Sequence, residues 1–497
     1  MPAPTPSARP GSAGPGASRR AVPAVADRDV SPVPTAAVAH HRIPLDPASP
    51  LRDRGTAEAY VASVCFKHGP PRLVGTELEW LVRDAADPAR PLDPAVLARA
   101  LGPHAPATLA SHPRPANGHR TTATPPPVPL PAGGTVTVEP GGQVEIASPP
   151  LPTVGALVRA VSTDVAALRT LLANEGLTVA PRASDPLRPP RRVLRIPRYA
   201  AMEASFDRIG PHGRTMMCST TAVQVCVDAG EGEDVARRWA ALHELGPVLL
   251  AAFANSPVVH GRRTGWKSSR MASWLALDPE RTGPPDVAGA DPGREYARRA
   301  LDTRLLLLRR DDDGGASWDA PAVSFADWIA GRTDPAPTRA DLDYHLTTLF
   351  PPVRPQGHLE VRYLDQQAGD EWVVPVAVVA ALMQDPDTVA RARAAAEPAV
   401  GRWTAAARHG LADRVLRRAA VEVFAQAGRT LAGPAFADLD IAVRDLVDRV
   451  ITERVRHGRC PADEPLDDAE ARVPADDQPP EHEPESPGPR PPSGGGR

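Results

Sequence analysis

The sequence predicts an α+β fold with a largely antiparallel sheet, and three observations point to it. Apolar residues recur at intervals of three and four over 153–175, 233–254, 375–398 and 401–456, the period of helices with one buried face. Over 73–82, 134–139, 143–148, 222–228 and 357–364 they alternate with polar residues, the period of a strand. The two kinds of segment do not follow one another regularly, as a doubly wound parallel sheet requires, and no repeat of fixed period is present.

Proline sets the boundaries. The 61 prolines among 497 residues crowd into residues 1–55 and 461–497, which read as disordered tails, and into 103–132, which reads as a surface insertion. Residues 56–460 are left as one catalytic-sized domain. A net charge of -3 supplies no global field for nucleic acid or an anionic membrane. The four cysteines form no CxxC pair, and no signal-like or membrane-length apolar run occurs. A cytoplasmic protein with reduced thiols is expected, without nucleic-acid or membrane partners.

The first strand raises a question. In LVGTELEWLV, Glu77 and Glu79 fall on one face of an extended chain, roughly 6–7 Å apart, inside an otherwise apolar run. The next segment, TVTVEPGGQVEIAS, reads as a hairpin. A two-residue Gly141-Gly142 loop would set Glu139 against Val144 and Val138 against Glu145. A three-residue loop, Pro140 to Gly142, pairs Glu139 with Gln143, Val138 with Val144 and Thr137 with Glu145, sorting polar from apolar faces, and is the expected register. In AVQVCVD, Gln224, Cys226 and Asp228 share one face. In HLEVRYLD, His358, Glu360 and Arg362 do, opposite Leu359, Val361 and Tyr363. For His358 and Asp228, structural hydrogen bonding is the expectation.

Taken singly, each pattern is that of a half-exposed strand with a solvated face. Taken together in one sheet, they bring Glu77, Glu79, Glu139, Glu145 and Glu360 to one place. Crowded carboxylates raise one another's pKa unless cations offset them. Oxygen-only ligands point to a hard ion, Mg2+ or Mn2+. Other nucleotide and hydrolase signatures are missing: GRRTGWKS has the wrong spacing for a P-loop, and neither HExxH nor GxSxG occurs.

The set GTELEW, EPGGQVEIAS, RTMMCSTTAVQVCVD, FANSPVVHGRRTGWKSSRMASW and HLEVRYLDQQ, in this order, resembles the glutamate–cysteine ligases of the plant and bacterial type, in particular the actinobacterial branch that feeds ergothioneine biosynthesis. The resemblance spans about residues 60–430. It implies a glutamine synthetase-like fold, a curved and mostly antiparallel sheet forming a funnel with helices outside. It also implies ATP-dependent joining of the L-glutamate γ-carboxylate to the L-cysteine amine. By that analogy Glu79, Glu139 and Glu145 hold one Mg2+, while Glu77, Gln224 and Glu360 hold another. Arg362 reaches the transferred phosphoryl group, Arg214 clamps a substrate carboxylate, and Lys267 and Arg270 contact nucleotide or substrate. Relatives usually read VQVNVD or VQVNLD where this chain has Cys226. Two alternatives stay open on sequence: another amine acceptor, or a paralogue that binds glutamate or nucleotide without turnover.

Overall fold

The computed structural model describes residues 47–109, 126–287, 289–308, 318–465, 471 and 473. Ten strands occur among them: β1 (Val74–Trp80), β2 (Val82–Asp84), β3 (Thr135–Val138), β4 (Val144–Ala147), β5 (Leu177–Val179), β6 (Ala222–Val227), β7 (Val258–Val259), β8 (Arg262–Arg263), β9 (Val353–Pro355) and β10 (Leu359–Asp365). Six form one open sheet in the order β3-β4-β1-β6-β10-β9, antiparallel at every pairing. The strands β2 and β5, and β7 and β8, make separate two-stranded pairs.

The hairpin has the three-residue register: Thr137 lies opposite Glu145 and Val138 opposite Val144, and the Glu139 N–H donates to the Gln143 carbonyl at 2.8 Å. Gly142 has φ +88°, the left-handed backbone this turn requires. Between β10 and β6, Val361 faces Val225 but the next pair is Leu364 with Val223. Arg362 and Tyr363 therefore both stand against Gln224, a β-bulge.

The apolar face of the sheet, including Val223, Val225, Val361 and Tyr363, is fully buried beneath Val154–Asn174, Gly246–Phe253 and Val373–Leu382. The first of these helices buries Val154, Leu157, Val158, Val161, Val165, Leu168 and Leu172, the stripe its period predicts. Thr153 caps it by accepting from the Ala156 N–H. Its one buried charge, Asp164, accepts from the Ala132 and Gly134 N–H groups at 2.7 and 2.8 Å and so fixes the entry to β3.

The longer helical segments are subdivided where local chemistry interrupts them. Pro247, which has no N–H to give, separates Glu233–Glu244 from Gly246–Phe253. Asp385 caps a new helix, Pro386–Ala396. Within 401–456, caps at Asp413 and Asp440 start Arg414–Leu431 and Ile441–Arg449. No single described helix is long and apolar enough to cross a membrane.

Ordered structure continues past the expected boundary at 460. Pro461–Asp463 forms a 3-10 turn, Arg182 donates to the Pro461 carbonyl at 2.9 Å, and Val473 is buried. Polar anchoring of this stretch by Arg182, Lys267 and Arg454 outweighs its proline content. Of the 103–132 insertion, the two ends are pinned together, the Val128 N–H donating to the Pro103 carbonyl at 2.9 Å. Residues 110–125 lie outside the described residues, as do most of both expected tails.

Candidate active site

Strand parity builds the floor. Glu77 sits opposite Gln224, Glu79 opposite Glu145, and Glu360 opposite Cys226. Directly paired residues point to the same side of a sheet, so all six side chains share the face away from the helical core. Glu139 joins them from the hairpin end. Gln143 fixes that end, accepting from the Gly141 N–H and donating to the Thr220 carbonyl at 3.0 Å. Gly141 itself is pressed against helix His212–Ser219, where a Cβ would lie 2.2 Å from the Cys218 carbonyl oxygen.

Above this face lies a cavity of about 340 Å³. Glu77, Glu79, Glu139, Glu145 and Gln224 line it from the sheet and hairpin. Arg198 and Tyr199 enter from helix Pro197–Asp207, and Arg354 and Arg362 from β9 and β10. Methionines 202, 216 and 217, with Trp274 and Phe350, supply an apolar wall.

The charges are unevenly satisfied. Glu360, 1% exposed, stands behind the arginines. Arg354 grips it with two N–H groups at 2.6 and 3.0 Å, and Arg362 adds a third at 3.1 Å. Burial opposes its ionisation, but these two cations outweigh burial and hold its pKa down at about 2. The others have no such escort. Burial, then the neighbouring charges of Glu360 and Glu145, pushes Glu77 up to about 9. Burial and Glu139 raise Glu79 to about 7, and burial with Glu139 and Glu79 raises Glu145 to about 8. Glu139 is raised too, by burial, although Arg362 and Arg354 pull the other way.

Two buried polar atoms in this cavity lack any partner. One is an acceptor, the Gln224 Oε1, whose amide nitrogen is occupied by Glu79 at 2.7 Å; the other is a donor, the Arg362 Nε. Buried polar atoms normally find partners. An open carbonyl oxygen among under-neutralised carboxylates fits a cation, and an open guanidinium N–H fits an anion. The sheet's donor set is oxygen apart from Cys226, which suits Mg2+ or Mn2+.

Three residues expected at the site stand elsewhere. Arg214 turns outward to Glu203 and Asp207 on the neighbouring helix. Lys267 pairs with Asp463. Arg270 is fully buried beneath the site: it stacks on Trp274, lies 3.6 Å from Asp365 and donates to the Arg362 carbonyl at 2.6 Å, so it braces Arg362 from behind. None of the three lines the cavity, because each has a nearer carboxylate or carbonyl to satisfy it. Of the two bystanders, Asp228 accepts from the Arg72 and Leu73 N–H groups at 2.8 Å.

Arg198, Tyr199 and Arg354 escaped the sequence reading. Arg354 had one available signal, an arginine between Val353 and Pro355 in a short extended run just before HLEVRYLD. For Arg198 there was none, since it follows a proline-rich stretch with no amphipathic pattern.

A cavity lined by under-neutralised carboxylates and by Arg362 with an unpartnered N–H is built to hold anions and cations side by side, as the active site of an ATP-type ligase must. Residues 73–483 match the family model described as glutamate-cysteine ligase family 2 (GCS2), and the chain belongs to that family. It is 39% identical over 430 residues to the glutamate–cysteine ligase EgtA of Mycobacterium tuberculosis, covering 84% of this chain and 92% of that one. Identity to the EgtA of Mycolicibacterium smegmatis is 38% over 423 residues, with the same coverage. A chloroplastic glutamate–cysteine ligase of Medicago truncatula is 31% identical over 246 residues, 48% of this chain and 47% of that one. Among solved structures, the glutamate–cysteine ligase (gshA) of Francisella tularensis in complex with AMP aligns with a TM-score of 0.44 and 13% identity, covering 80% of this chain and 84% of that one.

Proposed function

We propose that the protein joins the γ-carboxylate of L-glutamate to the amine of L-cysteine at the expense of ATP. The reaction runs through γ-glutamyl phosphate, in the cytoplasm, and the γ-glutamylcysteine product supplies ergothioneine biosynthesis. The chief support from the molecule is the meeting of an unpartnered Arg362 N–H with an under-neutralised carboxylate cluster in one cavity.

A carboxylate does not condense with an amine in water, because its carbon is a poor electrophile and hydroxide a poor leaving group. Phosphorylation of the γ-carboxylate supplies a good leaving group, but first two anions must be brought together. Arg362, braced by Arg270 and anchored to Glu360, presents its free N–H where negative charge moves, and such a donor is fixed before the reaction begins. Glu79, Glu139 and Glu145 would hold one Mg2+ and Glu77, Gln224 and Glu360 a second, with Mn2+ as an alternative. When bound, these ions neutralise phosphate charge and polarise the phosphoryl group. The wall of methionines 202, 216 and 217, with Trp274 and Phe350, keeps water from the acyl phosphate.

The test is phosphate release from Mg-ATP with L-glutamate against a panel of amine acceptors, with product masses recorded. Cysteine-dependent release and a γ-glutamylcysteine mass are expected. A product with another amine, or no product from folded protein with any acceptor, overturns the reading.

A further inference from the structure

Next to Glu77 the sheet holds one donor that is not oxygen. Cys226 on β6 lies opposite Glu360, and a carboxylate oxygen of Glu77, the Cys226 Sγ and a carboxylate oxygen of Glu360 all lie within 4.8 Å of one another. Cys226 is a free thiol. On the same face of β6, two residues away, Gln224 is 2% exposed, lines the cavity opposite Glu77 and has its Oε1 unpartnered. Three arginine N–H groups occupy Glu360, and its remaining side-chain hydrogen bond is with Glu77, the contact that a bound cation would replace. The 4.8 Å spacing of the Glu77, Cys226 and Glu360 ligand atoms is about an ångström more than one ion at roughly 2.0–2.3 Å from each requires, and Gln224 is the neighbour on the same face with a carbonyl oxygen to add.

A thiolate is a soft ligand. Mg2+ prefers oxygen, whereas Zn2+ and Cd2+ bind mixed sulfur and oxygen sets well. We propose that Cys226, with Glu77, Glu360 and the Gln224 carbonyl, forms a mixed sulfur–oxygen site that takes a thiophilic divalent ion, Zn2+ or Cd2+, in preference to Mg2+. On binding, the S–H bond breaks, its proton leaves to solvent, and the Sγ–metal bond forms without any change in oxidation state. The inference rests on Glu77 and Glu360 being cation ligands, as read above. Its consequence is an enzyme whose cation site is open to displacement by ions that an all-oxygen site would hold less firmly.

Cd2+ alone, titrated into the full chain, is the probe, read by the ultraviolet thiolate-to-cadmium charge-transfer band and by calorimetry. In wild type that band should saturate at one Cd2+ per chain, any Cd2+ on the all-carboxylate site of Glu79, Glu139 and Glu145 adding heat but no band. Cys226→Ser, checked for an unchanged melting temperature, should lose the band and bind Cd2+ about 10-fold or more weakly, with Mg2+ affinity unchanged. Cd2+ binding to wild type without the band, or a band that persists in Cys226→Ser through another cysteine, overturns the sulfur ligand while leaving the carboxylate site standing. The wild-type titration decides this even if the variant fails to fold. Failure to bind either Mg2+ or Cd2+ would instead remove the cation reading on which the inference rests.

Discussion

Chelating divalent cations should make the protein less stable as pH rises, and the carboxylate cluster fixes the sign. Glu79 has its pKa raised from 4.5 to about 7. Below pH 4.5 the group is protonated in both folded and unfolded chains, so its burial carries no ionic penalty. Above that pH the unfolded chain releases the proton and the folded chain does not, so stability falls until pH passes about 7. From 4.5 to about 7, at about 1.4 kcal/mol per pKa unit, Glu79 alone removes about 3 kcal/mol. Glu145 and Glu77 extend the loss through about 8 and about 9. Glu360, held down at about 2, contributes stability present above 4.5 and lost only below it, outside this window. At about 1 °C per kcal/mol for a chain of this size, the melting temperature followed by circular dichroism with a chelator should therefore fall by about 3 °C from Glu79 alone, and further from Glu145 and Glu77, as pH rises from about 5 to about 9. Added Mg2+ should flatten that profile, returning about 2.7 kcal/mol at 100 times its Kd. A chelated protein whose melting temperature is flat or rises over this range would refute the reasoning.

Two further outcomes follow from named contacts. Arg362→Ala should lower turnover about 10²–10³-fold while largely sparing ATP affinity, measured by steady-state kinetics beside nucleotide titration; an effect confined to ATP binding would count against its placement. Gly141→Ala forces a Cβ to 2.2 Å from the Cys218 carbonyl, a contact between two backbones with no side chain free to yield. It should cost about 1–3 kcal/mol by thermal denaturation and displace Glu139, so a variant with wild-type stability and turnover would show the hairpin end to be looser than described.

The floor of the site was legible in the sequence because strand parity is a local property. Once Val138 and Val144 must both be buried, Thr137 has to meet Glu145, and the register follows without knowledge of the rest of the chain. What parity cannot say is where an arginine ends. Arg214, Lys267 and Arg270 each lie in a motif that resembles the family's, yet their partners Asp207, Asp463 and the Arg362 carbonyl are set by packing between segments. Arg354 pairs with Glu360 across a short edge strand flanked by prolines, too brief to show a period. The helix carrying Arg198 and Tyr199 was invisible for a related reason: it is held by what it covers, and only Ala201, Met202, Ser205 and Phe206 are buried along it.

The bulge in β10 turns chain length into a constraint of its own. With strict alternation from Val361, Asp365 would fall on the helical side of the sheet. The extra residue at Arg362 and Tyr363 returns it to the parity of Gln224, paired with Ala222. There it accepts from the Asn255 N–H and from the hydroxyls of Ser256 and Ser268, the latter capping the helix that carries Arg270 and Trp274. One strand thus serves two layers of the molecule by losing count once. Replacing a side chain in LEVRYLD alters one contact, whereas ironing out the bulge at full chain length would exchange inside for outside at every later position of the strand; removing one residue between Val361 and Leu364 would instead take out the bulge and leave Leu364 and Asp365 on their present sides.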